Sequence, residues 1–167
     1  MHSSFLVHEA GAPGIPEGFR RLRIASPWMS LLGPVYVRHR EGEPTVIGLR
    51  IAPHHLNIQG VAHGGMLTTL ADNAFGIGIS LARGRRGGQV TVSLTADFLS
   101  SAREGEWLEA HVLITRMGRQ LAYASCDLKA GERHVLRSSA VFAFVERPVP
   151  MIDGDPVRYW PMPGAGS

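Results

Sequence analysis

The chain has 167 residues, 44% of them apolar, and a formal charge of +3, enough for one domain with its own core and too short for two. The basic excess sits in short arginine clusters (Arg20, Arg21 and Arg23; Arg83, Arg85 and Arg86), not in a long stripe interleaved with aromatics, which argues against nucleic-acid binding. The single cysteine, Cys126, excludes an internal disulfide framework and fits a reducing compartment.

Residues 1–25 are rich in Gly and Pro without a sustained period, and are expected to form an N-terminal arm. No charged segment followed by an apolar signal core is seen there. No run is long enough to cross a membrane, so a cytoplasmic protein without a membrane partner is expected. A domain is expected over 26–146. Ser26 is a plausible cap for a short helix beginning at Pro27 and stopped by Gly33-Pro34. Val35–Arg38 and Thr45–Ile51 read as a hairpin around a Glu41-Gly42 turn, ended by Pro53.

From Gly64 to Arg83 the period becomes helical. Met66, Leu67, Leu70, Ala71, Ala74, Ile77, Gly78 and Leu81 share one face at 100° per residue. Four segments of strand character follow. In the first, Val90, Val92, Leu94, Ala96 and Phe98 alternate with Thr91, Ser93, Thr95 and Asp97. The others run over Leu108–Arg116, Gln120–Leu128 (with Cys126 on the apolar face, read as a buried structural thiol) and His134–Val145. Their spacing suggests an antiparallel meander. The whole reads as an α+β domain with an antiparallel sheet wrapped around one long central helix. Prolines from Arg147 onward make 147–167 a C-terminal tail.

The helix looks functional. Opposite its apolar stripe stand Gly65, Thr68, Asp72, Phe75, Gly76 and Ile79, where a surface helix would carry Lys, Glu and Gln. Each glycine costs roughly 1 kcal/mol of helix stability against alanine. Small residues admit a second backbone, so this face is expected to be covered, with Asp72 in or beside an interface. A carboxylate in apolar surroundings is a candidate base or nucleophile. At the helix start, Gly64 and Gly65 offer N–H groups with no intrahelical partner and no side chain to block a ligand. They could polarise an ester or thioester carbonyl, one good donor being worth about 2.7–4 kcal/mol of barrier.

Gly64 and Asp72 are eight residues apart, or about 12 Å along a helix, too far to share one carbonyl within a subunit. If both act on one substrate, the helix must face an antiparallel second copy, giving an isologous homodimer with two equivalent sites.

Asn57, Gly60, His63-Gly64-Gly65, Leu70 and Asp72-Asn73, with Val90–Ser93, Asp97-Phe98, Ala102 and Gly105 behind them, resemble the hotdog-fold acyl-CoA thioesterases of the PaaI (phenylacetate-pathway) type, from Trp28 to Val145. The resemblance implies homodimers, often homotetramers, with composite sites. It also implies hydrolysis of acyl-CoA without a metal or organic cofactor. By position, Asp72 matches the nucleophile or general base, and Gly64 the N–H that polarises the carbonyl. Asn57 and His63 match polar groups that orient the thioester or assist the leaving thiolate. Thr91 stands where some relatives use a serine to place water. Gly65 and Phe75 are expected beside the substrate, with Met66, Ile79 and Phe98 shaping the pocket. Arg83, Arg85 and Arg86 are candidates for the coenzyme A phosphates.

Competing readings are weaker. His54-His55 and His63 lack the spacing of a zinc helix, and the adjacent pair reads as solvated. No Gly-x-Ser-x-Gly occurs, which argues against a serine hydrolase. Hotdog enoyl-CoA hydratases resemble this chain less, because Asn57 lacks the proline and histidine of their Asp-x-Asn-Pro-x-His stretch. The rival of another class is a non-catalytic acyl-CoA binding or sensor protein, disfavoured by the retained Asp72.

Overall fold

The computed structural model describes residues 6–7, 14–22, 27–40, 42–84 and 88–146. The elements are β1 (Leu6–Val7), β2 (Arg20–Leu22), α1 (Pro27–Leu32), β3 (Val35–Arg38), β4 (Thr45–Arg50), α2 (Gly64–Arg83), β5 (Gly88–Phe98), β6 (Trp107–Met117), β7 (Leu121–Ala130) and β8 (Arg133–Val145). All strands join one antiparallel sheet in the order β1-β2-β3-β4-β6-β7-β8-β5, and α2 packs against β4 to β8. No helix among the described residues is long and apolar enough to cross a membrane. The C-terminal tail lies outside the described residues.

The helix bounds agree with the sequence periodicity. Gly84 ends α2 in the left-handed region at φ 61°, and its N–H donates to Ser80 O at 3.2 Å. Two expectations need correction. Residues 1–25 showed no strand pattern, yet β1 and β2 pair there and extend the sheet past β3. Strands this short have no room for a period to show. The expected meander also fails at its first step. β6, β7 and β8 are consecutive neighbours, but β5 pairs with β8 at the sheet edge and not with β6. The chain must therefore cross from the edge back to β4 through residues 99–106. Ala102 is buried in that crossing, Gly105 N–H donates to Ile51 O at 2.9 Å, and Ile51 N–H donates to Glu106 O at 3.0 Å.

The core lies between α2 and the sheet. Val35, Val37, Ile47, Leu49, Leu108, Ala110, Val112, Ala124, Cys126, Leu128, Leu136 and Phe142 are all buried. The inward alanines let the helix lie close. A β-carbon on Gly78 would come within 2.9 Å of Val112 Cγ1. Cys126 is the buried thiol expected from its strand, and desolvation pushes its pKa up to about 12. The outer face of β4 is covered too. Trp107 lies over Gly48, with the Phe19 ring 5.2 Å and the Tyr36 ring 5.5 Å from it, centre to centre.

The loop before α2 rests on a histidine. His55 is buried, not solvated as its polar setting suggested. Its Nδ1 accepts the Ala52 N–H at 2.9 Å and its Nε2–H donates to Leu32 O at 2.8 Å. Both nitrogens are engaged only in the neutral ring. Burial lowers the His55 pKa below its ordinary 6.5, a fall that the Leu32 carbonyl partly opposes and His54 reinforces. Burial likewise lowers His111, against the pull of Glu109.

Gly48→Ala should destabilise the fold by about 1–3 kcal/mol, because the new β-carbon would sit 2.2 Å from Trp107 Cζ2; the urea midpoint measures it. The depressed histidines bind protons more readily in the unfolded chain. Their contribution is therefore complete above the ordinary value of 6.5 and is lost as the pH falls below it. Urea midpoints should drop between about pH 7.5 and about pH 5.5, and His55→Gln should make that drop shallower. The same variant should cost about 1–3 kcal/mol at the higher pH through its unpaired partners.

Candidate active site

The approach to α2 is built by Asn57. Its Oδ1 accepts the N–H groups of Gln59 at 2.9 Å and Val61 at 3.3 Å, and its own N–H donates to Val61 O at 2.8 Å. The side chain thus mimics a backbone turn, and Gly60 supplies the positive φ of 75° that closes it. The loop is stitched to the crossing by Ala62 N–H on Ala102 O at 2.8 Å and by a bridge between Val61 and Arg103. Asn57 Oδ1 is therefore committed to the loop, which leaves its Nδ2 as the group able to meet a ligand.

His63 caps the helix. Its extended backbone (ψ 133°) lets the ring turn back so that Nδ1 accepts the Gly65 N–H at 2.9 Å, and its own N–H donates to His55 O at 2.8 Å. The ring does what Ser, Thr or Asp usually does at this position. The expectation of two open glycine N–H groups is thereby corrected: Gly65 is satisfied by the cap. Gly64 N–H makes no hydrogen bond among the described residues. Because Nδ1 accepts, the neutral His63 ring carries its proton on the exposed Nε2. Phe98 lies across the helix start, and a β-carbon on Gly64 would come within 3.1 Å of its ring.

Two turns further on, Asp72 is half-buried on the open side of α2, and Thr91 Oγ1 donates to its Oδ1 at 2.8 Å. Clean alternation along β5 would have pointed Thr91 away from the helix. A β-bulge prevents this. Thr91 pairs with Phe142 and Ser93 with Val141, leaving Val92 as an extra residue between them. Thr91 therefore shares the inward side with buried Phe142, while Leu94, Ala96 and Phe98 keep that side beyond the bulge.

Other expected residues lie elsewhere. Phe75 and Ile79 were read as part of an outward face beside the substrate, but both are wholly buried in the core, Phe75 against Phe142 at 6.1 Å between ring centres. The sheet covers a wider arc of α2 than one apolar stripe requires. The open stripe is left to Gly65, Thr69, Asp72, Asn73, Gly76 and Ser80. Arg83 stacks its guanidinium 3.8 Å above the centre of the Phe144 ring. Arg85 and Arg86 lie outside the described residues. Gln89 was missed: its side-chain amide donates to Gly76 O at 2.5 Å and Ser80 Oγ at 3.0 Å. Only knowledge of the bulge would have turned it inward.

The open side of α2 thus carries a free N–H at its start and a carboxylate with one oxygen held two turns later. Residues 59–136 match the Thioesterase superfamily profile. The chain is similar to "Putative esterase PA0474" of Pseudomonas aeruginosa, with 43% identity over 77% of this chain and 96% of the relative. It is also similar to human acyl-coenzyme A thioesterase 13, with 30% identity over 67% of this chain and 79% of the relative. Among solved structures it resembles a variant of the phenylacetic acid degradation protein PaaI of Thermus thermophilus, with 28% identity, a TM-score of 0.62, and coverage of 72% of this chain and 100% of that one. The chain belongs to the thioesterase superfamily and is a hotdog-fold enzyme of the thioester-hydrolase class.

Proposed function

We propose that this chain hydrolyses an acyl-CoA thioester to the free acid and coenzyme A, at a site shared between the two subunits of a homodimer. The reading is carried by the Thr91–Asp72 hydrogen bond, which holds one carboxylate oxygen while the other has no partner among the described residues. The relative named acyl-coenzyme A thioesterase 13 supports the substrate class.

In this mechanism the Gly64 N–H binds the thioester oxygen and stabilises the negative charge that develops on it. Asp72 of the partner subunit either takes a proton from the attacking water or attacks the carbonyl carbon itself. The second route expels the thiolate and leaves a mixed anhydride that water then opens. His63 Nε2–H and Asn57 Nδ2–H are the donors available to the leaving sulfur or the thioester. Thr91 keeps the carboxylate in place. Phe98 forms the apolar wall beside Gly64. Arg85 and Arg86, following the helix, are candidates for the coenzyme A phosphates. Gly65 contributes by presenting no side chain.

The second copy is required by reach, since Gly64 and Asp72 lie about 12 Å apart along one helix. Three features support it. Among the described residues, the outer edge of β5 has no neighbour in the sheet. Ile58, Val92, Phe98 and Leu99 are exposed apolar residues around that edge and the helix start. The open stripe of α2 is made of small residues that admit a close neighbour. A dimer of such dimers would give the expected homotetramer, and the single buried thiol fits a cytoplasmic setting.

Thiol release from a panel of acyl-CoAs tests the reading. Asp72→Asn should remain folded and dimeric while turnover falls at least ~100-fold, the scale of a lost acid–base group. Equal rates would remove Asp72 from the mechanism, and tight acyl-CoA binding without thiol release would point to a sensor. Sedimentation equilibrium should show a dimer or a tetramer; a stable monomer would end the shared-site mechanism.

A further inference from the structure

Gln89 and Thr91 form a two-rung polar ladder between β5 and α2. Gln89 pairs across the sheet with Phe144 and Thr91 with Phe142, so both point to the helix side. Their acceptors are Asp72 for Thr91, and Gly76 O with Ser80 Oγ for Gln89. Residues 72, 76 and 80 are four apart and stand on one helical stripe. Two residues of strand advance about 6.8 Å and four residues of helix about 6.0 Å. The rungs are therefore commensurate, with β5 running opposite to α2.

The first rung lies against Gly76. A β-carbon there would come within 3.4 Å of Gln89 Nε2. The Gly76 carbonyl, already a helix acceptor, uses its second lone pair for Gln89. The bulge at Val92 follows directly on the second rung. Gln89 and Thr91 thus sit together on the helix-ward side of a strand whose register changes immediately after them.

From this geometry we infer that Gln89 is a positioning residue for the reaction. It pins the start of β5 to α2 and so sets the register that places Thr91 Oγ1 on Asp72 Oδ1, with Oδ2 left for water or substrate. The consequence for turnover rests on the thioesterase reading; the consequence for the Asp72 carboxylate does not. The experiment uses the full chain and three variants: Gln89→Met, which keeps the length and removes the donor, Thr91→Val, and the two combined. Against the acyl-CoA that the unmodified protein turns over fastest, Gln89→Met should lower kcat about tenfold with KM within about twofold, as expected of a misplaced catalytic group. Because Gln89 acts through Thr91, the double variant should fall within about twofold of Thr91→Val alone. The same proteins, labelled at the aspartate carboxyl carbon, are compared by NMR at one fixed pH. Thr91→Val should shift the Asp72 carboxyl resonance by removing the hydrogen bond to Oδ1. Gln89→Met should move it the same way, and the double variant no further than Thr91→Val.

If the unmodified protein releases no thiol from any acyl-CoA, the hydrolase reading fails and the carboxyl resonance alone decides the role of Gln89. An Asp72 carboxyl resonance unmoved by Gln89→Met, or single effects that multiply in the double variant, overturns the inference. Gln89→Asn, one methylene shorter, gives the same readouts should the Met variant fail to fold.

Discussion

The packing of α2 on the sheet is the constraint from which the rest follows. Gly78 leaves no room for a methyl group under Val112, and the alanines of β6, β7 and β8 bring the strands equally close. At that distance the sheet covers most of the helix circumference, taking in Phe75 and Ile79. What remains open is a narrow stripe of small and polar residues. That stripe is the open side of the helix, and Asp72 lies on it. The same packing places β5, at the sheet edge, where Gln89 and Thr91 bond to the open stripe while Leu94 and Ala96 pack against the core.

The bounds of α2, the β3–β4 hairpin, the α+β class and the buried Cys126 were legible in the residues themselves, because periodicity and turn chemistry are local. The pairing of β5 with β8 was not. Strand order depends on which edge the chain enters after α2, and a crossing of a few residues leaves little local trace. The true facing of Phe75 was hidden for a related reason: a helical wheel gives angles but not how much of the circumference a sheet will cover. Asp72 and Gly64 could be singled out by residue type and spacing. The contact between Thr91 and Asp72 could be reached only through resemblance, since strict alternation pointed Thr91 away. The His63 cap was concealed because histidine is not a usual helix cap, and the burial of His55 because its partners are the carbonyl of Leu32 and the N–H of Ala52.

The two ends of the candidate site are held in different ways. At the helix start, local hydrogen bonds through Asn57, His55 and His63 engage the N–H groups of Gln59, Val61, His63 and Gly65 but not that of Gly64. That group is fixed in direction before any ligand arrives, the condition under which a hydrogen bond stabilises developing charge without reorganisation. Asp72 is held by a residue distant in sequence, on a strand at the sheet edge. Its orientation therefore depends on tertiary register.

The bulge in β5 has an unusual implication for how this region tolerates change. Val92 is largely exposed, so many side chains would serve there. Its place outside the pairing is another matter. Losing the bulge while Val92 remains would exchange the two faces of everything between Gly88 and Thr91, turning Thr91 and Gln89 to solvent and Val90 toward the carboxylate, whereas deleting Val92 would restore regular pairing and leave their facing unchanged. The position is thus permissive to substitution and to loss alike, and what keeps the polar contacts to the helix in frame is that the surplus residue is looped out of the pairing, not its own chemistry.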